Sequence, residues 1–167
     1  MVAQAAWISG GLVGGGLAYQ NAFGAELNVT GGIPTGDSIL STIQFDNSLG
    51  LDQFMDISFV GAFSASSAVV AGAGLSFFFA ALQNDGVTYG DGRLTAGAAP
   101  IAYQPILNPL PGIGIVPGTV TVIAGDTGLI TLRPRKFSLI LTNNTPFTIA
   151  ATGNHCMIST YRQNLNA

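Results

Sequence analysis

Charged side chains are scarce in this sequence. Lysine and arginine together number 5, and aspartate and glutamate 8, among 167 residues, so that 8% of the chain is charged, whereas a soluble domain commonly has about 25%. A domain that stands alone covers its surface with charges of both signs, which keep it soluble and apart from its neighbours. A chain with so few charges is therefore expected to bury much of its surface against other protein molecules.

Basic residues are too few for a surface that binds nucleic acid. Such a surface needs a stripe of lysine and arginine that neutralises several phosphates. This chain has a single lysine, and its only basic cluster is Arg133-Pro134-Arg135-Lys136. That cluster is predicted to begin a strand with its charges in solvent, and binding to nucleic acid is not expected.

Cysteine and histidine occur once each, as Cys156 and His155. One cysteine excludes a disulfide within the chain. Adjacent residues of a strand point to opposite faces, so this pair is not expected to bind one metal ion. Cys156 is predicted to be a small apolar side chain in a strand, and His155 a residue beside a turn and partly in solvent.

Carboxylates are the remaining candidates for chemistry. Asp85 and Asp91 bracket a stretch whose Asp-Gly pairs are typical of turns, and its spacing departs from that of an EF-hand calcium loop. Asp52 and Asp56 could form the carboxylate pair of a glycosidase, but no aromatic platform for a sugar is recognisable nearby. We therefore predict that the protein is not an enzyme and needs no metal or other cofactor.

No segment is predicted to cross a membrane. Residues 57–84 contain no charge, but Ser64-Ala65-Ser66-Ser67 and the glycines at 72 and 74 interrupt the run. This pattern favours a turn between two strands over a helix of about 20 apolar residues. The amino terminus lacks the basic region of a secretory signal, so synthesis in a cytoplasm is expected.

Residues 1–36 differ in composition from the rest of the chain. Glycine and alanine dominate this segment, and Glu26 is its only charged residue. Each glycine weakens a helix by about 1 kcal/mol. The sequence predicts an extended amino-terminal arm over residues 1–36 and a β-sandwich domain over residues 37–167.

From residue 38 onward, apolar residues recur at every second position, as in strands with one buried face. Met55, Ile57 and Phe59 share one face of such a strand. The strand LSFFFAAL is apolar on both faces, with Phe77 on one and Phe78 on the other. Roughly seven to nine short strands without an amphipathic helix indicate an all-β fold, a β-sandwich or jelly roll, with an up-and-down barrel as the alternative.

Three motifs stand out in the second half of the chain. They are an Asp-Gly-x-x-Tyr-x-Asp-Gly turn at 85–92, a Lys-Phe-x-Leu-x-Leu-x-Asn strand at 136–143, and an Ala-x-Gly-Asn turn with an apolar strand at 151–161. They resemble motifs of small structural proteins encoded by tailed bacteriophages, the capsid cement or decoration proteins. The resemblance covers roughly residues 38–164 and leaves the glycine-rich arm unmatched. It implies a jelly-roll-like antiparallel β-sandwich in a virion, on the exterior of the capsid.

The resemblance also implies partners. They are the major capsid protein, whose shell the chain would stabilise across capsomer joints, and a second copy of the chain in a homodimer, with a trimer as the alternative. The side chains expected at these protein interfaces are Trp7, Leu12, Val13, Tyr19, Phe23, Phe78 and Tyr103, the last in a long proline-rich connection at 83–118. The alternative function is a receptor- or carbohydrate-binding module of a tail fibre or baseplate, since jelly rolls serve there too.

Overall fold

The computed structural model of this chain describes residues 6–9, 20–21, 31–41, 44–48, 52–69, 71–81, 101–102, 110–114 and 118–164. These residues form strands and turns and contain no helix. The strands are β1 (Ala6–Ser9), β2 (Gln20–Asn21), β3 (Asp37–Leu40), β4 (Phe45–Asp46), β5 (Phe54–Val69), β6 (Gly74–Ala81), β7 (Ile101–Ala102), β8 (Ile113–Gly114), β9 (Gly118–Asp126), β10 (Ile130–Thr131), β11 (Lys136–Asn143) and β12 (His155–Asn164). The prediction of an all-β chain is confirmed for the described residues.

The strands form two 6-stranded sheets, and all their pairings are antiparallel. In sheet I, β12 lies between β5 and the short strands β1 and β2, and β9 and β10 pair with the other side of β5. In sheet II, β11 lies between β6 and the short strands β3 and β4. There β7 pairs with β3, and β8 pairs with β6. The long strands β5, β11 and β12 therefore lie inside their sheets.

One hydrophobic core joins the two sheets in a sandwich-like arrangement. The alternating residues Met55, Ile57 and Phe59 of β5 are each 0% exposed. They belong to the same cluster as Ile158 of β12 and Leu139 of β11. Because burial of a large apolar side chain contributes about 1.5–3 kcal/mol, the period of two in the sequence determines which face of each strand turns inward.

Strand β5 is longer than the sequence predicts. Residues 64–67, predicted to be part of a turn, continue the strand to Val69, and the chain turns near Gly72, which has a φ of 85°. The register between β5 and β9 shifts in this region, and Ser64 N–H donates instead to the carbonyl of Thr148 at 2.9 Å. The predicted turn between two strands is confirmed at Gly72. It was wrong at 64–67, because small residues also fit an irregular strand that changes its partner.

Part of the predicted amino-terminal arm pairs with the rest of the chain. The backbones of β1 and β2 pair with β12. Ile33 is 0% exposed, and it exchanges two backbone hydrogen bonds with Ile149, of 3.0 and 3.1 Å. The division of the chain at residue 36 stays a prediction, and it does not coincide with a break in the core.

Candidate interaction surfaces

Phe78 is the one predicted interface residue whose side chain the structure describes. The backbone of Trp7 lies in β1, opposite Gln163 of β12. Leu12, Val13, Tyr19, Phe23 and Tyr103 lie outside the described residues. The grouping of these side chains at one interface, and their role there, therefore stays a prediction.

Phe78 lies on the outer face of sheet II. Its neighbours in sequence contact the core between the sheets, whereas Phe78 itself packs on a second hydrophobic cluster formed by Leu40, Ala80 and Ile140. Leu40 and Ile140 are each 1% exposed, and Phe78 is half-buried. The strand is thus apolar on both faces, as predicted, and its second face is largely shielded from solvent.

The outer face of sheet I carries exposed apolar side chains that sequence analysis did not single out. Val60 and Val122 are 48% and 57% exposed. In the pairing of β5 with β9, Val60 lies opposite Ala124, and Ala62 lies opposite Val122. We call these four residues the valine face. Two adjacent cross-strand pairs without a charge form a contiguous apolar patch on this face, and such patches are candidates for a contact with another protein.

Strand β9, which supplies half of the valine face, is an edge of sheet I. It pairs with β5, and among the described strands none pairs with its other side. It contains neither proline nor any charge before Asp126. Soluble proteins usually protect an edge of this length with lysine, proline or a covering segment. An edge so little protected is suited to pairing with another chain.

A third surface is a cavity of ≈ 370 Å³ where β10 and the residues after it face strands β6 and β11 of sheet II. Phe79 and Phe137 of sheet II line it together with Ile130 and Leu132, which lie in and just after β10. The two aromatic rings meet edge to face, with their centroids 4.8 Å apart. Leu129, which is 53% exposed, also lines the cavity. The inner part of the cavity is therefore apolar.

Two arginines, Arg133 and Arg135, also line this cavity. Neither forms an ion pair within the part of the chain that the structure describes, where Lys136 pairs instead with Asp46 at 2.9 Å. Hydrogen bonds from Ser48, followed by the one from Lys136, lower the pKa of Asp46 from 3.8 to about 2. One cation of the basic cluster is thus neutralised, whereas the other two line the cavity without an ion pair to any described residue.

Asn47 fixes the backbone that carries these arginines. It is 3% exposed. Its backbone N–H donates to the carbonyl of Arg135 at 3.1 Å, and its Nδ2 donates to the carbonyls of Arg133 at 3.3 Å and Asp52 at 2.8 Å. Its Oδ1 accepts from Asp52 N–H at 3.2 Å. The arginine segment is therefore held by a buried amide rather than left free in solvent.

The single cysteine and the single histidine lie in environments that suit structural roles. Cys156 is 0% exposed within the core, where burial raises the pKa of its thiol. His155 is half-buried on the other face of β12, next to a turn. The predicted environments of these two residues are confirmed.

Asp52 precedes β5 and Asp56 lies within it, and each accepts a hydrogen bond from a different side chain of β12. Asp52 is 2% exposed and accepts from the hydroxyl of Thr160 at 2.9 Å, whereas Asp56 accepts from the hydroxyl of Tyr161 at 3.0 Å. Asp85 and Asp91 are outside the described residues. Among those that are described, no three His, Cys, Asp or Glu side chains form a group that could hold a metal ion, and no helix is suited to crossing a membrane.

No family model, curated protein or solved structure matches this chain. The functional inference therefore depends on the composition, the motifs at 85–92, 136–143 and 151–161, and the surfaces described above.

Proposed function

We propose that this chain is a non-catalytic structural protein of a virion, a capsid cement protein on the outer surface of a tailed-phage head. It binds the major capsid protein and stabilises the shell across the joints between capsomers. The observation that carries this proposal is the valine face, half of which lies on β9, a strand with no charge before Asp126. In a chain of which 8% is charged, an exposed apolar surface suits a protein contact better than recognition of a sugar.

The order of strands supports a jelly-roll topology. If β1 with β2, β3 with β4 and β9 with β10 are each counted as one interrupted strand, and β7 is set aside, eight successive strands result. Sheet I then has the order 1-8-3-6 and sheet II the order 2-7-4-5. This is the arrangement of two Greek keys that jelly rolls have, and viral capsid proteins are among those that use it.

The edge strand also suggests how two copies associate. In our proposal the side of β9 on which no described strand lies pairs with the β9 of a second copy, which gives a homodimer with a continuous sheet across its two-fold axis. The glycine-rich arm adds contacts to neighbouring subunits. Lectins share the jelly-roll architecture, so the proposal depends on the surface and the motifs and not on the topology alone.

Binding of this kind stabilises the shell by mass action. A protein that binds the assembled shell and not its separated parts lowers the free energy of assembly by about 2.7 kcal/mol per site when its free concentration is 100 times Kd. Many sites of modest affinity are therefore sufficient for a large effect on the particle.

Cosedimentation tests the proposal. The purified chain is mixed with phage heads that lack it and, separately, with host cells, and the bound fraction is measured against concentration. We expect saturable binding to heads, weakened about tenfold by Val122→Lys, because a lysine at the centre of an apolar contact must be desolvated. Thr35→Lys, which adds the same charge at an exposed turn before β3, leaves binding unchanged. Saturable binding to cells and none to heads would contradict the proposal.

A further inference from the structure

The cavity beside Arg133 and Arg135 is separate from the proposed shell contact. It lies where β10 pairs with the first residues of β5, at Phe54 and Met55. The valine face begins at Val60, farther along β5 and on the opposite face of sheet I from the core. A function of the cavity therefore does not depend on the cement role.

We propose that this cavity binds an apolar molecule that ends in a carboxylate, of the class of medium-chain fatty acids. The hydrocarbon lies against Phe79 and Phe137, and Arg133 and Arg135 hold the carboxylate. The volume of ≈ 370 Å³ falls within the range of about 300–1,000 Å³ that is usual for small-molecule sites.

The charges determine which end of the ligand is polar. A guanidinium presents its N–H groups in a planar fork that matches the two oxygens of a carboxylate. The protein as a whole has a formal net charge of −3. Arg133 and Arg135, which lack an ion pair among the described residues, nevertheless form a local site for an anion. Lys136, the third cation of the cluster, is paired with Asp46 and does not line the cavity.

The arginine segment is also ordered before any ligand arrives. Pro134 restricts the backbone between the two arginines, and Asn47 binds the carbonyls on both sides of it. A site whose backbone is already fixed loses less conformational entropy on binding. Such a preorganised arrangement favours a defined ligand over the transient association of ions with a mobile loop.

The apolar lining of the inner part of the cavity favours a hydrocarbon as the remainder of the ligand. Phe137 and Leu132 are 1% and 7% exposed, and Phe79 packs partly on the core. These side chains offer no hydrogen bond to a sugar or a nucleotide base. A saturated chain, in contrast, gains about 0.8 kcal/mol for each methylene that it buries.

Calorimetric titration of the full chain with decanoate, below its micelle concentration, tests the assignment. We expect one saturable site per chain. Octanoate, shorter by two methylenes, binds about fifteenfold more weakly. Decyltrimethylammonium, which has the same chain length and the opposite charge, binds about tenfold more weakly or not at all, because the arginines repel it.

Matched variants locate the site. The double variant Arg133→Gln/Arg135→Gln lowers the affinity for decanoate about tenfold or more, whereas Lys136→Gln, which removes a charge from the same cluster outside the cavity, changes it by less than about twofold. Leu129→Ser weakens binding several-fold, and Val122→Ser, at an equally exposed position of the valine face, does not. Unchanged thermal midpoints show that these surface variants remain folded.

Three results would overturn the assignment: no saturable binding of decanoate, equal binding of the ammonium compound, or unchanged affinity in the double arginine variant. A short peptide that ends in phenylalanine with a free carboxylate is tested in parallel. If that peptide binds and decanoate does not, the cavity receives a segment of a protein, and the proposed ligand class is wrong. None of these results alters the binding to heads, so the two proposals fail independently.

Discussion

The buried amide of Asn47 gives the sharpest test of how the structure is held together near the cavity. Asn47→Ala removes three side-chain hydrogen bonds, two to Asp52 and one to the carbonyl of Arg133. A net contribution of about 1 kcal/mol for each bond predicts a loss of about 3 kcal/mol in the free energy of unfolding. That is a large share of the roughly 5–15 kcal/mol that stabilises a domain of this kind.

A second buried asparagine provides the control. Asn143 is 0% exposed, and its Nδ2 donates to the carbonyls of Ile33 and Phe147, both at 2.8 Å. Its Oδ1 accepts from the backbone N–H and the hydroxyl of Thr145, at 3.0 and 2.6 Å. By the same reasoning, Asn143→Ala costs about 4 kcal/mol. None of its partners lines the cavity.

Urea unfolding and decanoate titration together distinguish the two variants. Both substitutions lower the midpoint of unfolding without changing its slope, since the surface exposed on unfolding is the same. Only Asn47→Ala also weakens decanoate binding, because the arginine backbone loses its anchor. The reasoning is refuted if Asn47→Ala costs less than about 1 kcal/mol, or if both variants bind decanoate as the unaltered chain does.

Three further predictions concern single residues. Gly32→Ala destabilises the fold more than Gly31→Ala, because both have a positive φ but only at position 32 does an added Cβ collide with a backbone carbonyl; thermal unfolding compares the pair. Cys156→Ser costs about 1–3 kcal/mol by burying a hydroxyl in the core, and in the unaltered chain a thiol reagent reacts only after denaturation. The pKa of Asp46 is expected to lie at about 2, and an NMR titration of its carboxyl group checks this value. The contribution of this carboxylate to stability is therefore complete above pH 3.8 and is lost as the pH falls toward 2. Lys136→Gln raises the pKa of Asp46 only part of the way to 3.8, because the hydrogen bonds from Ser48 remain.

Local patterns in the sequence were sufficient for the class of fold. The alternation of Met55, Ile57 and Phe59 predicts the inner face of β5, and the run of phenylalanines predicts that β6 is apolar on both faces, with Phe77 in the core and Phe78 outside it. Both follow from the geometry of a strand, in which successive side chains point to opposite sides. Such predictions need no knowledge of which strands become neighbours.

Features that depend on strand order were not predictable in the same way. The cavity is formed by residues near 79, 110, 129–135 and 137, which become neighbours only when both sheets are complete. The basic cluster was predicted to carry its charges in solvent, and nothing in its local sequence indicates that Arg133 and Arg135 border an apolar cavity. Local patterns could not predict the valine face, because Val60 and Val122 are 62 positions apart in the sequence.

The position of β12 in sheet I has a consequence for synthesis. This strand pairs with β5 over seven successive residue pairs, from His155 to Tyr161, and β1 and β2 in turn pair with β12. During translation the earlier partners therefore leave the ribosome long before the strand that connects them. Such long-range pairing is slow to form, so a nascent chain that stops before residue 155 would keep one side of β5 open to aggregation. Sheet I would be completed only after residues 155–164 have been made.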